Sequence, residues 1–120
     1  ELIGSLSVAC DEDRIRQVLI NLISNAIKFS PGNSEILLRC YDDNGSIVTE
    51  VWDNGPGVSE PEQKRIFEKF YKKGAQEGAG LGLAICKSII EAHEGVIGVA
   101  SSANRGSTFY FRLPRAGAKQ

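Results

Sequence analysis

The stretch NLISNAIKF, residues 21–29, has the apolar spacing of a core helix and yet carries three polar side chains. Asn21, Asn25 and Lys28 are four and three residues apart, so they share one face of a helix. The neighbouring face is apolar and consists of Ile15, Val18, Leu19, Leu22, Ile23 and Ala26. A solvated face of an amphipathic helix is the simplest explanation, although Asn is a poor helix former. The other explanation is a site for a phosphate with its metal, because Asn offers a hard oxygen ligand for Mg²⁺ and Lys offers a point charge.

Helices and hairpins alternate along the rest of the chain. Asp11 suits the N-cap of the first helix, and Asn44-Gly45 predicts a tight hairpin turn. The predicted strands span about residues 6–9, 35–41, 47–52, 96–100 and 108–113, and the predicted helices about 13–29, 60–70 and 81–93, the last ended by Gly95. Residues 72–80 have little apolar content and several glycines, which indicates a flexible lid. This order predicts an α+β fold, a two-layer sandwich with a mixed β-sheet and helices packed on one face.

Length and composition limit the possible classes of protein. The chain has 120 residues, 42% hydrophobic and 24% charged, with a net charge of −1, which is typical of one soluble globular domain and argues against nucleic-acid binding. Three cysteines without a C-x-x-C pair indicate a reduced setting, and no apolar run approaches the roughly 20 residues of a membrane span. We expect a single domain over residues 1–120, ordered over about 6–113 with a tail over 114–120. Since the chain has no methionine, we expect a longer parent protein.

Two glycine-rich segments lie where ligand-binding loops commonly begin. The segment Asp53-x-Gly55-x-Gly57 directly follows a predicted strand. A tight turn explains its glycines, but they also allow close approach to a flat ligand, and the carboxylate can accept a hydrogen bond from an exocyclic amine. The segment GAGLG, residues 78–82, precedes a helix, where free N–H groups favour an anion. Its spacing matches neither a dinucleotide fingerprint nor a P-loop, so this segment alone is equally typical of a linker.

The order of five motifs carries more information than any one of them. The motifs are NLISNAIKF at 21–29, DNGPGV at 53–58, FEKFY at 67–71, GAGLGL at 78–83 and RGSTF at 105–109. In this order they resemble the N, G1, F, G2 and G3 boxes of sensor histidine kinases. The resemblance extends over about residues 6–113. It implies the catalytic and ATP-binding domain of that family, with the Bergerat fold shared with gyrase, the Hsp90 chaperones and MutL.

The resemblance implies roles for individual side chains around ATP and Mg²⁺. Asn25 would bind the Mg²⁺ that bridges the phosphates, with Asn21 and Lys28 in contact with phosphate. Asp53 would bind the adenine amine, and Thr108 would join that contact through water. The other implied contacts with the nucleotide or its lid come from Phe29, Gly55, Gly57, Val58, Phe67, Phe70, Lys72, Gly78, Gly80, Leu81, Gly82 and Leu83.

The lid over residues 72–78 would be short. Phe67 and Phe70 would dock it, and Gly80 and Gly82 would anchor it. Lys72 stands where the family frequently has arginine, and a lysine holds phosphate as a point charge instead of by a bidentate fork. The resemblance therefore implies a weaker grip of the lid on phosphate.

No residue of the chain is assigned a catalytic role, because the phosphoacceptor histidine of the family lies on a separate helical hairpin. His93, the only histidine, suits a helix C-terminus, and Glu94 stands where the family commonly has glycine. The implied partners are the protein's own dimerisation domain and a response regulator receiver domain, without nucleic acid. We expect the fragment to be monomeric and cytoplasmic and its parent to be homodimeric, whether or not the parent is anchored in a membrane.

Two other functions stay open on the sequence. A self-contained ATPase of the gyrase, Hsp90 and MutL kind would have a water-activating glutamate four residues before Asn25, but this chain has Asn21 there, and an amide is not a general base. A non-catalytic nucleotide-sensing or anti-sigma module is the other alternative, although Asn25, Asp53 and the glycine motifs are intact. We favour a domain that hands the γ-phosphate to a histidine and hydrolyses little ATP by itself.

Overall fold

The computed structural model describes residues 10–71, 82–101 and 106–115. The elements are α1 (Glu12–Phe29), β1 (Ile36–Asp43), β2 (Ser46–Asp53), α2 (Glu60–Gln63), α3 (Gly82–Ala92), β3 (Val96–Ser101) and β4 (Ser107–Pro114). The strands form one sheet in the order β1-β2-β4-β3. Helices pack on one face of it, which confirms the predicted α+β class. Every pairing among the described strands is antiparallel. The predicted mixed sheet, which needs at least one parallel pair, is therefore not found among these four strands.

Two predicted segments fall outside the described residues. They are the edge strand over residues 6–9 and the lid over residues 72–80. None of the described helices combines the length and hydropathy that crossing a membrane requires.

Helix α1 begins and ends where its sequence predicts. The Asp11 side chain accepts a hydrogen bond from the Arg14 backbone N–H, and two acidic residues in the first turn and Lys28 in the last complement the helix dipole. The helix ends before Ser30, ahead of the Pro-Gly pair. Its apolar face contributes Val18 and Leu22 to the core.

The β1–β2 hairpin follows the prediction from Asn44-Gly45. Both residues have positive φ, 56° and 91°, as a type I′ turn requires. This turn fixes the register in which Asp43 pairs with Ser46 and Ile36 pairs with Asp53. The hairpin therefore places Asp53 at the end of a central strand.

Helix α2 is much shorter than the predicted helix over residues 60–70. It has a capping box between Ser59 and Glu62 but ends at Gln63, and turns continue the chain to Phe70. Such a short helix has little stability of its own, so tertiary contacts decide its length. Ile66 is buried in the core and the Phe67 ring meets Phe109 edge to face, with 6.2 Å between ring centroids.

Helix α3 ends in a Schellman motif. The Gly95 N–H donates to the Ile90 carbonyl at 2.9 Å, and the Glu94 N–H donates to the Glu91 carbonyl at 3.0 Å. The left-handed residue of the motif is Glu94, with φ of 62°, and not Gly95. Gly95 is needed for another reason, because a Cβ there would lie 2.2 Å from the Arg112 carbonyl oxygen.

The core lies between the two long helices and one face of the sheet. Along β4 the side chains alternate, so Ser107 and Phe109 face the helices while Thr108 and Tyr110 face the opposite side. The largest fully buried side chains of this core are Val18, Leu22, Val51, Cys86 and Ile90. Most of the helix-facing side of the sheet is apolar, which makes the polar residues at one of its ends conspicuous.

Candidate functional site

A cleft opens where the end of α1 meets the ends of β2 and β4. The free space between these element ends, including the solvent at the mouth of the cleft, is about 350 Å³. Its lining residues are Asn25, Phe29, Asp53, Pro56, Gly57, Val58, Ile66, Leu83, Ser107 and Phe109. The walls are mainly apolar, and polar groups are restricted to a few positions, as is typical of small-molecule sites.

The inner end of the cleft is polar. Asp53 and Ser107 are the buried polar side chains of the described core, each 4% exposed. They pair directly across β2 and β4. The Gly55 backbone N–H donates to Asp53 Oδ1 at 2.8 Å, which fixes the carboxylate. A charged group placed in a mainly apolar cleft is typical of ligand-binding sites, where a few polar groups orient the ligand, so Asp53 is a candidate ligand-binding residue.

The loop after β2 needs glycine for close packing. A Cβ on Gly55 would lie 2.7 Å from the Phe29 carbonyl oxygen, and Gly57 has a φ of 88°. Both glycines are buried. The loop therefore lies tightly against the end of α1. Close approach of these glycines to a flat ligand stays a prediction.

Helix α1 contributes the outer wall. Asn25 is partly buried and lines the cleft together with Phe29, whereas Lys28 is exposed at the end of the helix. The Asn25 amide therefore lies at the cleft, and the lysine is one turn or less away along the same helix. The structure brings together here Asn25, Phe29, Asp53, Gly57, Val58 and Leu83 from the sequence-predicted set.

Asn21 does not line the cleft. Its Nδ2 donates to the Gly82 carbonyl oxygen at 3.4 Å and to Cys86 Sγ at 3.6 Å, so it links α1 to the first turn of α3. Burial raises the pKa of the Cys86 thiol, and the hydrogen bond from Asn21 partly opposes that rise. In this arrangement Asn21 joins the two long helices.

Thr108 also lies away from the cleft, and its neighbour Ser107 takes the place beside Asp53. The physical reason is the alternation of side chains along a strand: Phe109 is in the core, so Ser107 faces the same side and Thr108 faces the other. The register Trp52 with Thr108 and Asp53 with Ser107 gives the same result. The sequence already contained this signal in the apolar alternation of β4.

The aromatic residues of the FEKFY motif lie outside the cleft lining. Phe67 supports the cleft from behind, through its edge-to-face contact with Phe109. Phe70 is 68% exposed and has a φ of 67°, which is unusual for a bulky residue. Four lining residues were not predicted from the sequence: Pro56, Ile66, Ser107 and Phe109.

Several predicted site residues cannot be placed against the cleft. Lys72, Gly78, Gly80 and Leu81 lie outside the described residues. Gly82 is the first residue of α3, and a Cβ there would meet no described atom within 4 Å. The described surroundings leave room for a side chain at this position, so steric crowding does not explain why the residue is glycine.

The His93 side chain makes contacts that link two helices. Its Nε2 accepts a hydrogen bond from the Asp11 backbone N–H at 3.0 Å, and its Nδ1 lies 2.8 Å from the Ile89 carbonyl oxygen. The ring therefore joins the end of α3 to the N-cap of α1. This agrees with the interpretation of His93 as a helix C-terminal residue.

Comparison with known proteins gives the same assignment as the motifs. A family model for histidine kinase-, DNA gyrase B-, and HSP90-like ATPases matches residues 10–117. The chain is 42% identical over 115 residues to the sensor protein KdpD of Clostridium acetobutylicum, and 43% identical over 112 residues to the adaptive-response sensory kinase SasA of a Synechococcus strain. These alignments cover 92% and 90% of this chain, but only 13% and 30% of the two relatives.

Solved structures show the same likeness. The catalytic domain of the histidine kinase ThkA superposes with a TM-score of 0.81 at 36% identity, covering 90% of this chain and 70% of that one. Full-length ShkA, solved in complex with AMPPNP, superposes with a TM-score of 0.85 at 37% identity, covering 97% of this chain and 24% of that one. The chain therefore belongs to the family of histidine kinase-, DNA gyrase B-, and HSP90-like ATPases, as a catalytic domain of the sensor histidine kinase type.

Proposed function

We propose that this chain is the ATP-binding catalytic domain of a two-component sensor histidine kinase. It would present the γ-phosphate of ATP to a histidine on a separate dimerisation domain, from which the phosphate passes to a response regulator. The observation that carries the proposal is the buried Asp53 at the inner end of a mainly apolar cleft that has Asn25 at its outer wall. The AMPPNP complex of ShkA supports a nucleotide of this type.

The inner end of the cleft suits adenine. Asp53 accepts hydrogen bonds when ionised, which matches the N–H donors of an exocyclic amine. The apolar walls formed by Val58, Leu83 and Phe109 suit the faces of a flat ring, and Phe29 supplies an aromatic side chain beside them. The base would therefore bind with its amine toward Asp53.

The outer end suits the phosphates. The Asn25 amide oxygen is a hard ligand of the kind that Mg²⁺ accepts, and the exposed Lys28 supplies positive charge nearby. The described residues include no cluster of three or more His, Cys, Asp or Glu side chains that would hold a metal on its own. Asn25 would thus share the ion with phosphate oxygens and water, which is the usual way in which proteins bind Mg²⁺ with nucleotides. Bound there, Mg²⁺ would neutralise phosphate charge.

The residues at the cleft suit a positioning role in phosphoryl transfer. The described lining includes a buried carboxylate, an amide and a serine, but no histidine or cysteine. Phosphoryl transfer depends mainly on positioning and charge neutralisation, so a nucleophile supplied by another domain is sufficient. Asn21 stands where a self-contained ATPase of this family would have a water-activating carboxylate, and its amide cannot take a proton from water at neutral pH.

Binding of ADP and ATP by the 120-residue chain, measured by isothermal titration calorimetry, tests the nucleotide site. Asp53→Asn should reduce binding below detection, because an amide presents N–H groups to the base amine. Asp42→Asn is the matched control: Asp42 also accepts a backbone N–H near the end of a strand, from Gly45 at 3.1 Å, but lies away from the cleft. Equal affinities of the Asp53→Asn and unmutated chains would refute the site.

Transfer of the γ-phosphate is tested separately. The chain is mixed with labelled ATP, Mg²⁺ and the histidine-bearing dimerisation domain of the parent protein. We expect label on the histidine of that domain and slow steady-state hydrolysis without it. Rapid hydrolysis by the chain alone would favour a self-contained ATPase, and binding without transfer would favour a nucleotide sensor.

A further inference from the structure

Three polar side chains form a row across the helix-facing side of the sheet. Asp53 on β2 pairs with Ser107 on β4, and Ser107 pairs with Ser101 on β3. Asp53 and Ser107 line the cleft, whereas Ser101 lies one strand behind them. The proposed contact with adenine uses Asp53 and leaves the two serines without a role.

The Ser101 hydroxyl has three hydrogen-bonding contacts. Its Oγ lies 2.6 Å from the Val58 backbone nitrogen, 2.9 Å from the Gly106 carbonyl oxygen and 3.3 Å from Ser107 Oγ. A hydroxyl has one proton and two acceptor lone pairs, so these contacts use its full capacity.

The chemistry of the first two partners decides the direction of the third bond. The Val58 N–H can only donate, so it occupies one lone pair of Ser101. The Gly106 carbonyl can only accept, so it takes the Ser101 proton. Only the second lone pair is left for Ser107, so the Ser107 hydroxyl is the donor in a hydrogen bond across the 3.3 Å between the two serine oxygens.

This direction determines what Ser107 can do in the cleft. With its proton committed to Ser101, the Ser107 oxygen can only accept a hydrogen bond from a ligand. The ionised carboxylate of Asp53 also only accepts. Where these oxygens face the C6 substituent of a purine, they favour an amino group, which donates hydrogen bonds, and disfavour an oxo group, which only accepts them.

Ser101 also holds the wall of the cleft in place. The Gln63 side-chain amide donates to the Val58 carbonyl at 2.8 Å and to the Ser101 carbonyl at 3.3 Å. Together with the bond from the Val58 N–H to Ser101, these contacts tie the loop after β2 to the end of β3. Ser107 and Val58 are thus positioned by the same hydroxyl group.

We propose that Ser101 is a positioning residue that keeps Ser107 a hydrogen-bond acceptor and so makes the cleft selective for 6-aminopurine over 6-oxopurine nucleotides. This inference rests on the proposed nucleotide-binding function and adds the origin of its base selectivity. Ser101 acts through Ser107 and does not itself line the cleft.

The test is the ratio of dissociation constants for IDP and ADP, which differ at C6, measured by calorimetry on the 120-residue chain. Ser101→Ala frees the Ser107 proton to turn toward a 6-oxo group, so we expect the IDP-to-ADP ratio to fall about three- to tenfold. Ser101→Thr keeps the hydroxyl and should keep the ratio. Ser46→Ala, a strand-end serine away from the cleft, is the control and should leave the ratio unchanged.

A double mutant separates this role from a merely structural one. In a Ser107→Ala background, Ser101→Ala should leave the ratio unchanged, because the group through which Ser101 acts is absent. A loss of affinity that is equal for ADP and IDP in Ser101→Ala, or ratio changes that add in the double mutant, would overturn the proposal.

Two further outcomes keep the test decisive. If Ser101→Ala is unfolded by circular dichroism, Ser101→Cys, whose thiol hydrogen-bonds weakly, must lower the ratio in the same direction, and an unchanged ratio overturns the proposal. An unmutated chain that does not bind ADP at all would refute the proposed function. An unmutated chain that binds ADP but does not prefer it over IDP would refute only the role of Ser101.

Discussion

The two ends of the cleft are built in different ways. At the inner end, Asp53 and Ser107 are each 4% exposed, and hydrogen bonds between three strands and the loop after β2 fix their surroundings. At the outer end, Asn25 is partly buried and Lys28 is exposed on the last turns of α1. The side-chain conformations at the inner end are therefore fixed before a ligand binds. The side chains at the outer end lose conformational freedom only when a ligand binds.

This difference leads to an expectation about mutations. Changes at the inner end should lower both stability and nucleotide affinity, because the same contacts serve both. Changes at the outer end should lower affinity with little effect on stability, since exposed helical positions tolerate substitution. The following predictions test this contrast, in order of decreasing effect.

Gly106→Ala should have the largest effect. Gly106 has a φ of 80°, and a Cβ there would lie 2.2 Å from the Asp53 carbonyl oxygen, so the substitution combines backbone strain with a clash. We expect the free energy of unfolding to fall by more than about 2 kcal/mol, measured by urea denaturation, with loss of ADP binding. Gly32→Ala is the control, because a Cβ there meets no atom within 4 Å. Equal stability of the two variants would show that the inner end is not rigid.

Asn25→Ala should come next, and should act on binding. We expect the affinity for ATP with Mg²⁺ to fall about 10- to 100-fold, since contacts with charged groups are strong, while the affinity for ADP without Mg²⁺ changes much less. Calorimetry with and without Mg²⁺ measures both, and thermal melting should show little change in stability. Ser24→Ala, an exposed neighbour on α1, is the control. Equal losses with and without the metal would contradict a role for Asn25 in metal binding.

Lys28→Ala should have a smaller effect, because the side chain is exposed and its charge is screened. We expect the affinity for ATP to fall about two- to fivefold at low ionic strength, and the difference to disappear in high salt. Titrations over a range of salt concentrations measure it, with Lys87→Ala on α3 as the control. A loss that persists in high salt would mean that Lys28 is buried against the phosphates in the bound state.

Glu94→Gly should have the smallest effect on nucleotide affinity, because it changes neither end of the cleft. Glu94 has a left-handed backbone, with φ of 62°, in the Schellman motif of α3. Glycine adopts this conformation without steric cost, so we expect a gain in unfolding free energy of about 0.5–1 kcal/mol with unchanged ADP affinity. Glu91→Gly, within the helix, should destabilise the chain by a similar amount. A loss of stability in Glu94→Gly would show that the glutamate side chain has a compensating contact.

Local sequence signals predicted the elements that local interactions stabilise. The N-cap at Asp11 and the turn at Asn44-Gly45 lie where the sequence placed them, because a side-chain cap and a positive φ are properties of a few consecutive residues. The order of motifs also identified most of the cleft, including Asn25 and Asp53.

The errors arose where packing between distant segments decides the result. The short helix α2 ends at Gln63, because the following residues turn so that Ile66 and Phe67 reach the core. Ser107 and not Thr108 faces the cleft, because a shift of one residue along a strand reverses the face. The alternation of apolar residues along β4 separates these two neighbours by face, and the pairing of β2 with β4 puts Ser107 opposite Asp53.

The sequence by itself determined the α+β class, the helix that carries Asn25 and the carboxylate at the end of β2, because helical periodicity, turn residues and motif order are local in the chain. Only the tertiary structure decided that Asn21 joins α1 to α3 and that Ser101 orients Ser107. Those contacts join residues far apart in sequence or on paired strands, and the direction of the hydrogen bond between the two serines depends on three partners at once. Such geometry follows from the packed fold and not from the order of residues.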